Sequence, residues 1–371
     1  MKRKTRVAVL FGGRSAEHEV SIQSAKNVID AMDKSKYDIV LLGIDREGRW
    51  YLNERSLPLF AYGRKLPNIS SDGATEVTIA PRGGSNQIIG LSDNRELGAV
   101  DVVFPILHGP FGEDGSVQGL CKLANIACVG AGILGSAVGM DKDVMKRLLR
   151  EAGIPVARFV VLRRGAQTSA EGSFASISRE LGLPLFVKPA NLGSSVGVSK
   201  VRREEEFTKA VETAFRYDTK VLVEECIVGR EVECAVLGNS APIASVPGEI
   251  LPGHDFYDYD AKYLDEHGAV LKIPAELGAS VQSEVQELAL KAFTTLCCEG
   301  MARVDMFVRD GVPSGRVVVN EINTIPGFTR ISMYPKLWEA SGISYAELID
   351  RLIGLAQERF EIERNLSSLP Q

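Results

Sequence analysis

Residues 6–13 read RVAVLFGG: an arginine, an unbroken apolar run from Val7 to Phe11, then the glycine pair Gly12-Gly13. A short apolar run with no polar alternation is what a strand covered on both faces of a parallel sheet requires, and glycines at its carboxyl end allow the chain to turn sharply out of the sheet. Working outward, Val20, Ile22, Ala25, Val28, Ile29 and Met32 recur at helical spacing, Tyr37–Ile44 reads as a second strand, and Val100–Leu107 as a third. The loop His108–Gly115 and a helix ending near Ala124 follow the third strand. This alternation predicts an α/β unit built on a parallel sheet, with ligands at the carboxyl ends of its strands. The stretch 50–97, rich in Gly, Pro, Ser and Asn with one strand-like run, Thr75–Ala80, reads as an insertion of irregular structure.

Beyond residue 140 the pattern becomes α+β. Asp141–Glu151 is amphipathic and stopped by Gly153 and Pro155. Arg158–Leu162 and Pro184–Pro189 read as strands flanking a helix near Phe174–Leu181, and Val221–Glu225 and Glu231–Leu237 read as a strand pair. Val281–Cys297 and Tyr345–Arg359 read as helices, and Ala302–Val308 with Arg316–Glu321 as a hairpin. The expected division is 1–140, 141–240 and 241–371.

Composition narrows the function. The chain has 371 residues, 45% hydrophobic and 25% charged, with a net charge of -5, which gives no basis for nucleic acid as a partner. No apolar run approaches the roughly 18 residues a membrane span needs, and the apolar segment after Met1-Lys2-Arg3-Lys4 is too short for a signal peptide. A cytoplasmic location is expected. The six cysteines form no C-x-x-C pair and read as buried free thiols, and the four histidines are too scattered for a zinc site.

Four segments carry chemistry. In the hairpin, Arg303 and Asp305 share one strand face, and Glu321 and Asn323 share one. If the strands pair with those faces matched, two carboxylates and an amide oxygen converge beside a guanidinium, a donor set that suits Mg²⁺. The alternative is a sheet face of solvated charges, weakened by the apolar Val304, Met306, Val318 and Ile322 that claim the other face. In the second segment, residues 186–200, Lys188 ends an apolar strand and a Gly/Ser loop follows, able to cradle phosphate oxygens or to serve as a plain turn. It is not a Walker A loop, and no G-x-G-x-x-G opens a helix, so a dinucleotide-dependent redox enzyme is disfavoured. The third, 221–231, runs a strand into Glu224 and Glu225, fit either for adenosine or for an edge strand with a charged end. The fourth is the pair of loops 12–21 and 108–115, where Ser15 or Ser21 serves equally well as a helix cap.

In order and content these runs closely resemble the ATP-grasp superfamily, and within it the D-alanine–D-alanine ligases. The resemblance spans Val7 to about Leu355 and rests on FGGRSAEHEVS (11–21), LHGPFGEDG (107–115), GMDK (139–142), VKPANLGSSVGVSKV (187–201), FYDYDAKY (256–263), ARVDMF (302–307) and NEINTIPGFT (320–329). It implies a Rossmann-like N-terminal parallel-sheet domain followed by a two-lobed ATP-grasp module, usually a homodimer. It also implies ATP and two Mg²⁺ or Mn²⁺ ions at each active site, with D-alanine as the substrate, for peptidoglycan precursor synthesis. On that likeness Lys142 and Lys188 contact phosphates, while Glu224, Ile227 and Glu231 line the adenosine pocket together with Glu225, which is not acidic in many relatives. Ser194, Ser195, Phe307 and Asn320 complete the nucleotide site, and Lys262 reaches the transferred phosphoryl group. Asp305, Glu321 and Asn323 bind the metal ions. Glu17 holds the ammonium of the first D-alanine with His108 near its carboxylate, and Ser194 and Tyr263 link Glu17 to a closing loop around Tyr257–Tyr263. Arg303 and the amide of Gly327 act as oxyanion donors, and Ser332 with the backbone of Met333 takes the carboxylate of the second D-alanine. Relatives that use D-lactate or D-serine lack the Tyr-Asp-Tyr…Lys-Tyr pattern kept here. A nucleotide-binding module without catalysis would show erosion at Arg303, Asp305, Glu321 or Asn323, and all four are present.

Overall fold

A computed structural model of the chain describes residues 3–52, 74–81, 87–165, 173–252, 269–311 and 316–366. At its centre, β1 (Thr5–Gly12) pairs in parallel with β2 (Tyr37–Ile44) on one side and β7 (Val102–Ile106) on the other, and β7 pairs in parallel with β8 (Ala127–Cys128). Both neighbours of β1 come from later in the chain, so the sheet order reverses at β1. The crevice beyond its carboxyl end is where an open α/β sheet takes its ligand. α1 (His18–Ala31) covers the sheet by packing Ile22, Ala25, Val28 and Ile29 on Val9, Phe11, Phe104 and Ile106.

The described part of the 50–97 stretch is not irregular. β3 (Trp50–Leu52), β4 (Thr75–Ile79), β5 (Ile88–Gly90) and β6 (Glu96–Gly98) continue the sheet antiparallel from β2, giving the order β6-β5-β4-β3-β2-β1-β7-β8. These strands are three to five residues long, too short to show a period in sequence, and the inward side chains of Val77, Ile79 and Ile88 bind them to the core.

α2 (Ser116–Leu123), α3 (Ile133–Met140) and α4 (Lys142–Glu151) lead to a second sheet, β11-β10-β12-β9. Its strands β9 (Phe159–Arg163), β10 (Leu185–Pro189), β11 (Ser199–Val201) and β12 (Lys220–Glu225) pack Leu185, Val187, Val221 and Val223 against Ile177 and Leu181 of α5 (Phe174–Leu181) and Phe207 of α6 (Glu204–Ala214). A third sheet runs β16-β15-β13-β17-β18: β13 (Arg230–Gly238), β15 (Gly248–Pro252), β16 (Ala269–Lys272), β17 (Gly300–Val308) and β18 (Val317–Asn323), with β14 (Ile243–Ala244) on β13. The predicted pairing of Val221–Glu225 with Glu231–Leu237 is therefore corrected. Those runs are β12 and β13, they belong to different sheets, and 226–229 carries the chain across between them.

α7 (Ala279–Thr295) covers one face of the third sheet through Val285, Ala289 and Phe293. The other face meets α8 (Met333–Ala340) and α9 (Tyr345–Arg364), whose Leu348, Ile349 and Leu352 share one core with Val9 and Phe104 of the first sheet. The last helix thus fixes the first and third sheets to each other. Four cysteines, Cys121, Cys128, Cys234 and Cys298, are buried as expected. Cys226 is half-buried and Cys297 exposed, because each lies just past the end of its strand or helix.

Candidate active site

The hairpin of β17 and β18 sets Arg303 opposite Asn323 and Asp305 opposite Glu321, so these four side chains meet on one face. Arg303 donates from Nε and Nη2 to the two Asp305 oxygens, each at 2.7 Å, and Asn323 Nδ2 donates to Asp305 Oδ2 at 3.0 Å. On the next strand Glu233 faces Asp305 and pairs with Arg303 Nε at 2.9 Å. Burial opposes a charge on Arg303, but the carboxylates of Asp305, Glu233 and Glu321 outweigh it and hold the guanidinium protonated. Strict alternation would send Asn320 to the face opposite Glu321. The register shifts between Asp305 and Met306, skipping Asn320, and this bulge turns both residues toward lysines. Asn320 Oδ1 accepts from Lys188 Nζ at 3.4 Å, and Glu321 pairs with Lys142 Nζ at 3.1 Å.

Those lysines come from two other elements. Lys142 begins α4, whose cap Asp141 accepts from the amides of Asp143 and Val144, each at 3.1 Å. Lys142 also donates to the carbonyl of Leu192 at 2.8 Å, which joins the helix to the Gly/Ser loop. One turn on, Lys146 is fully buried and lies 3.2 Å from Glu224 Oε1, while Lys188 Nζ holds Glu224 Oε2 at 2.6 Å. Burial drives the Glu224 carboxyl toward protonation, but the two ammonium groups reverse this and hold it below the usual range.

At the first sheet, Ser21 accepts from the amide of Gly12 at 2.7 Å and donates to the carbonyl of Ile106, tying the ends of β1 and β7. It is not a cap. Ser15 accepts from the amide of Glu17 at 3.0 Å, immediately before α1. Buried Glu17 brings its Oε2 to 3.5 Å from where a side chain on Gly109 would begin and 3.7 Å from the same point on Gly193. It therefore lies between the loop after β7 and the Gly/Ser loop. The loop after β7 grips the segment after β18 by both sides of one peptide unit: His108 Nδ1 donates to the carbonyl of Ile325 at 3.1 Å, and Glu113 Oε1 accepts from its amide at 3.2 Å. Burial depresses the pKa of His108, so the ring is neutral and Nδ1 carries its hydrogen. Two residues along, a side chain on Gly327 would meet Ser332 Oγ at 2.7 Å, which places that hydroxyl against the Gly327 backbone.

Known proteins match this chain along most of its length. The family model for the D-ala D-ala ligase N-terminus matches residues 6–131, and that for the D-ala D-ala ligase C-terminus matches residues 148–354. The D-alanine–D-alanine ligase of Oceanobacillus iheyensis is 54% identical over 367 residues, 98% of each chain.

The chain belongs to the D-alanine–D-alanine ligase family.

Solved structures of such ligases have the same mixed α/β fold. That of Coxiella burnetii superposes with a TM-score of 0.85 at 44% identity, covering 97% of this chain and 96% of that one. VanG D-Ala:D-Ser ligase of Enterococcus faecalis gives 0.81 at 39%, covering 95% and 100%. The Bacillus anthracis D-alanine–D-alanine ligase complexed with ATP gives 0.70 at 28%, covering 97% and 99%.

Most of the residues singled out in the sequence of this chain converge. Arg303, Asp305, Glu321 and Asn323 meet on the hairpin, Lys142, Lys188, Asn320 and Glu224 beside it, and Glu231 faces Phe307 across β13 and β17. Ser194 and Ser195, with φ of +52° and +58°, form the turn next to Gly193. Ile227 lies half-buried in the crossing from β12 to β13, and Met333 is buried at the start of α8. Glu225 is turned elsewhere: as the strand neighbour of Glu224 it points to the opposite face, where Arg158 at 2.8 Å and Arg309 at 3.6 Å hold it. Lys262, Tyr263 and the loop around Tyr257–Tyr263 lie outside the described residues. Sequence reasoning missed three participants. Glu233 was legible as the strand partner of Glu231 two residues on, and Lys146 as the residue one helical turn from Lys142. Glu113 as a clamp on Ile325 had no local signal, because its partner lies 212 residues away.

Proposed function

We propose that this ligase joins two D-alanine molecules into D-alanyl-D-alanine with ATP, through an acyl phosphate of the first. The observation that carries the reading is the convergence on one face of Asp305, Glu321, Asn323 and Arg303, with Lys142 and Lys188 arriving from a second sheet and its preceding helix. A free carboxylate is a poor electrophile, and phosphorylation gives it a leaving group that the second amine displaces. Both steps gather negative charge, and fixed cations and donors lower their barriers.

Each element of the chain then has a task. The N-terminal domain, about 1–140 and Rossmann-like, presents Glu17 and neutral His108 to the first D-alanine, the carboxylate facing its ammonium. The two ATP-grasp lobes, about 141–240 and 241–371, close around the nucleotide, with Lys142 and Lys188 toward its phosphates and Glu224 toward adenosine. The donor set fits Mg²⁺ or Mn²⁺: Asp305 and Glu321 stand directly opposite each other, and Asn323 spends its N–H on Asp305 and keeps its oxygen for a cation. Divalent ions held by these residues would supply positive charge against the phosphates and the charge that develops on them. Arg303 and the Gly327 amide receive the oxyanion, and Ser332 with Met333 orients the second D-alanine. Ser194 and Tyr263 link Glu17 to the loop around Tyr257–Tyr263, Lys262 reaches the transferred phosphoryl group, and closure of that loop excludes water that would hydrolyse the acyl phosphate.

The deciding experiment is ATP-dependent dipeptide formation by the purified protein with each enantiomer of alanine supplied separately. D-alanine alone should yield dipeptide, with one phosphate released per bond. Turnover with L-alanine and none with D-alanine would end the reading.

A further inference from the structure

Glu224 is held by two ammonium groups, one on each oxygen, and they differ in what they can reach. Lys188 sits at 2.6 Å with 10% of its side chain exposed and already shares Asn320 on the side of the hairpin. Lys146 has no exposed side-chain surface, so no ligand can touch it, and its 3.2 Å approach to Glu224 Oε1 lacks hydrogen-bond geometry at either atom. The pair is close, buried and slack. Burial pulls the Lys146 ammonium down to about 8, against the attraction of the Glu224 and Glu321 carboxylates. A fully buried lysine with unspent donors is costly unless a state exists in which they are spent.

We propose that Lys146 is a positioning residue of the nucleotide site, the resident counter-ion that takes over Glu224 when a nucleotide phosphate draws Lys188 away. Here Glu224 divides itself between two cations. When Lys188 turns to phosphate, Glu224 tightens onto Lys146, remains ionised and keeps its rotamer. Without Lys146, Lys188 is the only cation among the described residues left on a buried carboxylate, and every bound nucleotide must break that pair. This rests on the reading of Lys188 and Glu224 as nucleotide-site residues.

The test uses the full-length protein with Mg²⁺-ADP titrated calorimetrically, steady-state kinetics for ATP and D-alanine, and thermal unfolding to establish that each variant is folded. Lys146→Met should raise the Kd for Mg²⁺-ADP and the KM for ATP about tenfold or more, the size expected for one charge-assisted interaction. The KM for D-alanine should not move, and Lys146→Arg should restore most of the loss. Glu224→Gln provides a background in which Lys146→Met leaves no buried carboxylate behind. There, adding Lys146→Met should cost no further nucleotide affinity, because Lys146 acts only through Glu224. Lys188→Met separates the two levels of inference. If it weakens Mg²⁺-ADP binding while Lys146→Met does not, the handover is wrong and the nucleotide site stands. If neither weakens binding, the nucleotide-site reading itself fails and takes the handover with it. An equal loss from Lys146→Met in both backgrounds also overturns the proposal.

Discussion

Asp305 and Glu321 were visible in the sequence as acidic positions on neighbouring strands, and the register sets them face to face. Replacing either by its amide keeps shape and removes one charge. Asp305→Asn or Glu321→Gln should therefore lower turnover by at least about a hundredfold while circular dichroism and unfolding temperature stay near wild type. Glu113 behaves differently. Burial, and then the Glu17 carboxylate, push its pKa from 4.5 up to about 8, against the amides of Gly109 and Ile325 and the charge of Lys142. The folded state thus keeps a proton that the unfolded chain releases near 4.5. Stability from this group is full below that pH and is lost as pH rises to about 8. The Tm advantage of wild type over Glu113→Gln should shrink steadily across that window. A pH-independent difference would show that Glu113 is ionised throughout.

At the scale of elements, α4 delivers both Lys142 and Lys146, and its start depends on one residue. Asp141 caps the helix through the Asp143 and Val144 amides and receives Lys220 Nζ at 2.7 Å on Oδ1. Asp141→Ala should cost about 1–2 kcal/mol from the cap, seen as a lower urea midpoint. It should also raise the KM for ATP more than that for D-alanine, since the first turn carries Lys142. The helix and its cap were legible, because Asp before an amphipathic run is a local signal. The bulge at Asn320 was not: an extra residue in one strand is defined only against its partner strand. The same limit hid the separation of β12 from β13, since two adjacent apolar runs say nothing about which sheet each joins.

At the scale of the whole molecule, the first and third sheets are fixed through α9, where Arg359 donates to the carbonyls of Cys128 at 2.7 Å and Gly130 at 2.6 Å. The loop after β7 and the segment after β18 meet on that frame, so substrate selection belongs to the assembled protein. Phosphate release should be fastest with D-alanine, with D-serine and D-lactate well below it at neutral pH. Equal rates with D-lactate would move this chain toward the depsipeptide-forming relatives. Among the described residues no helix is long and apolar enough to cross a membrane.

The sequence by itself determined the class of fold and its family, and it named most of the residues proposed for the site. Strand and helix periodicities, caps and motif runs are short-range properties of the chain. Tertiary structure alone decided how those residues work together. Glu113 clamps Ile325, Glu233 shares Arg303 with Asp305, and Lys146 and Lys188 divide Glu224. Each of these depends on distance through space and on burial, and both are set only when separate sheets pack and exclude water.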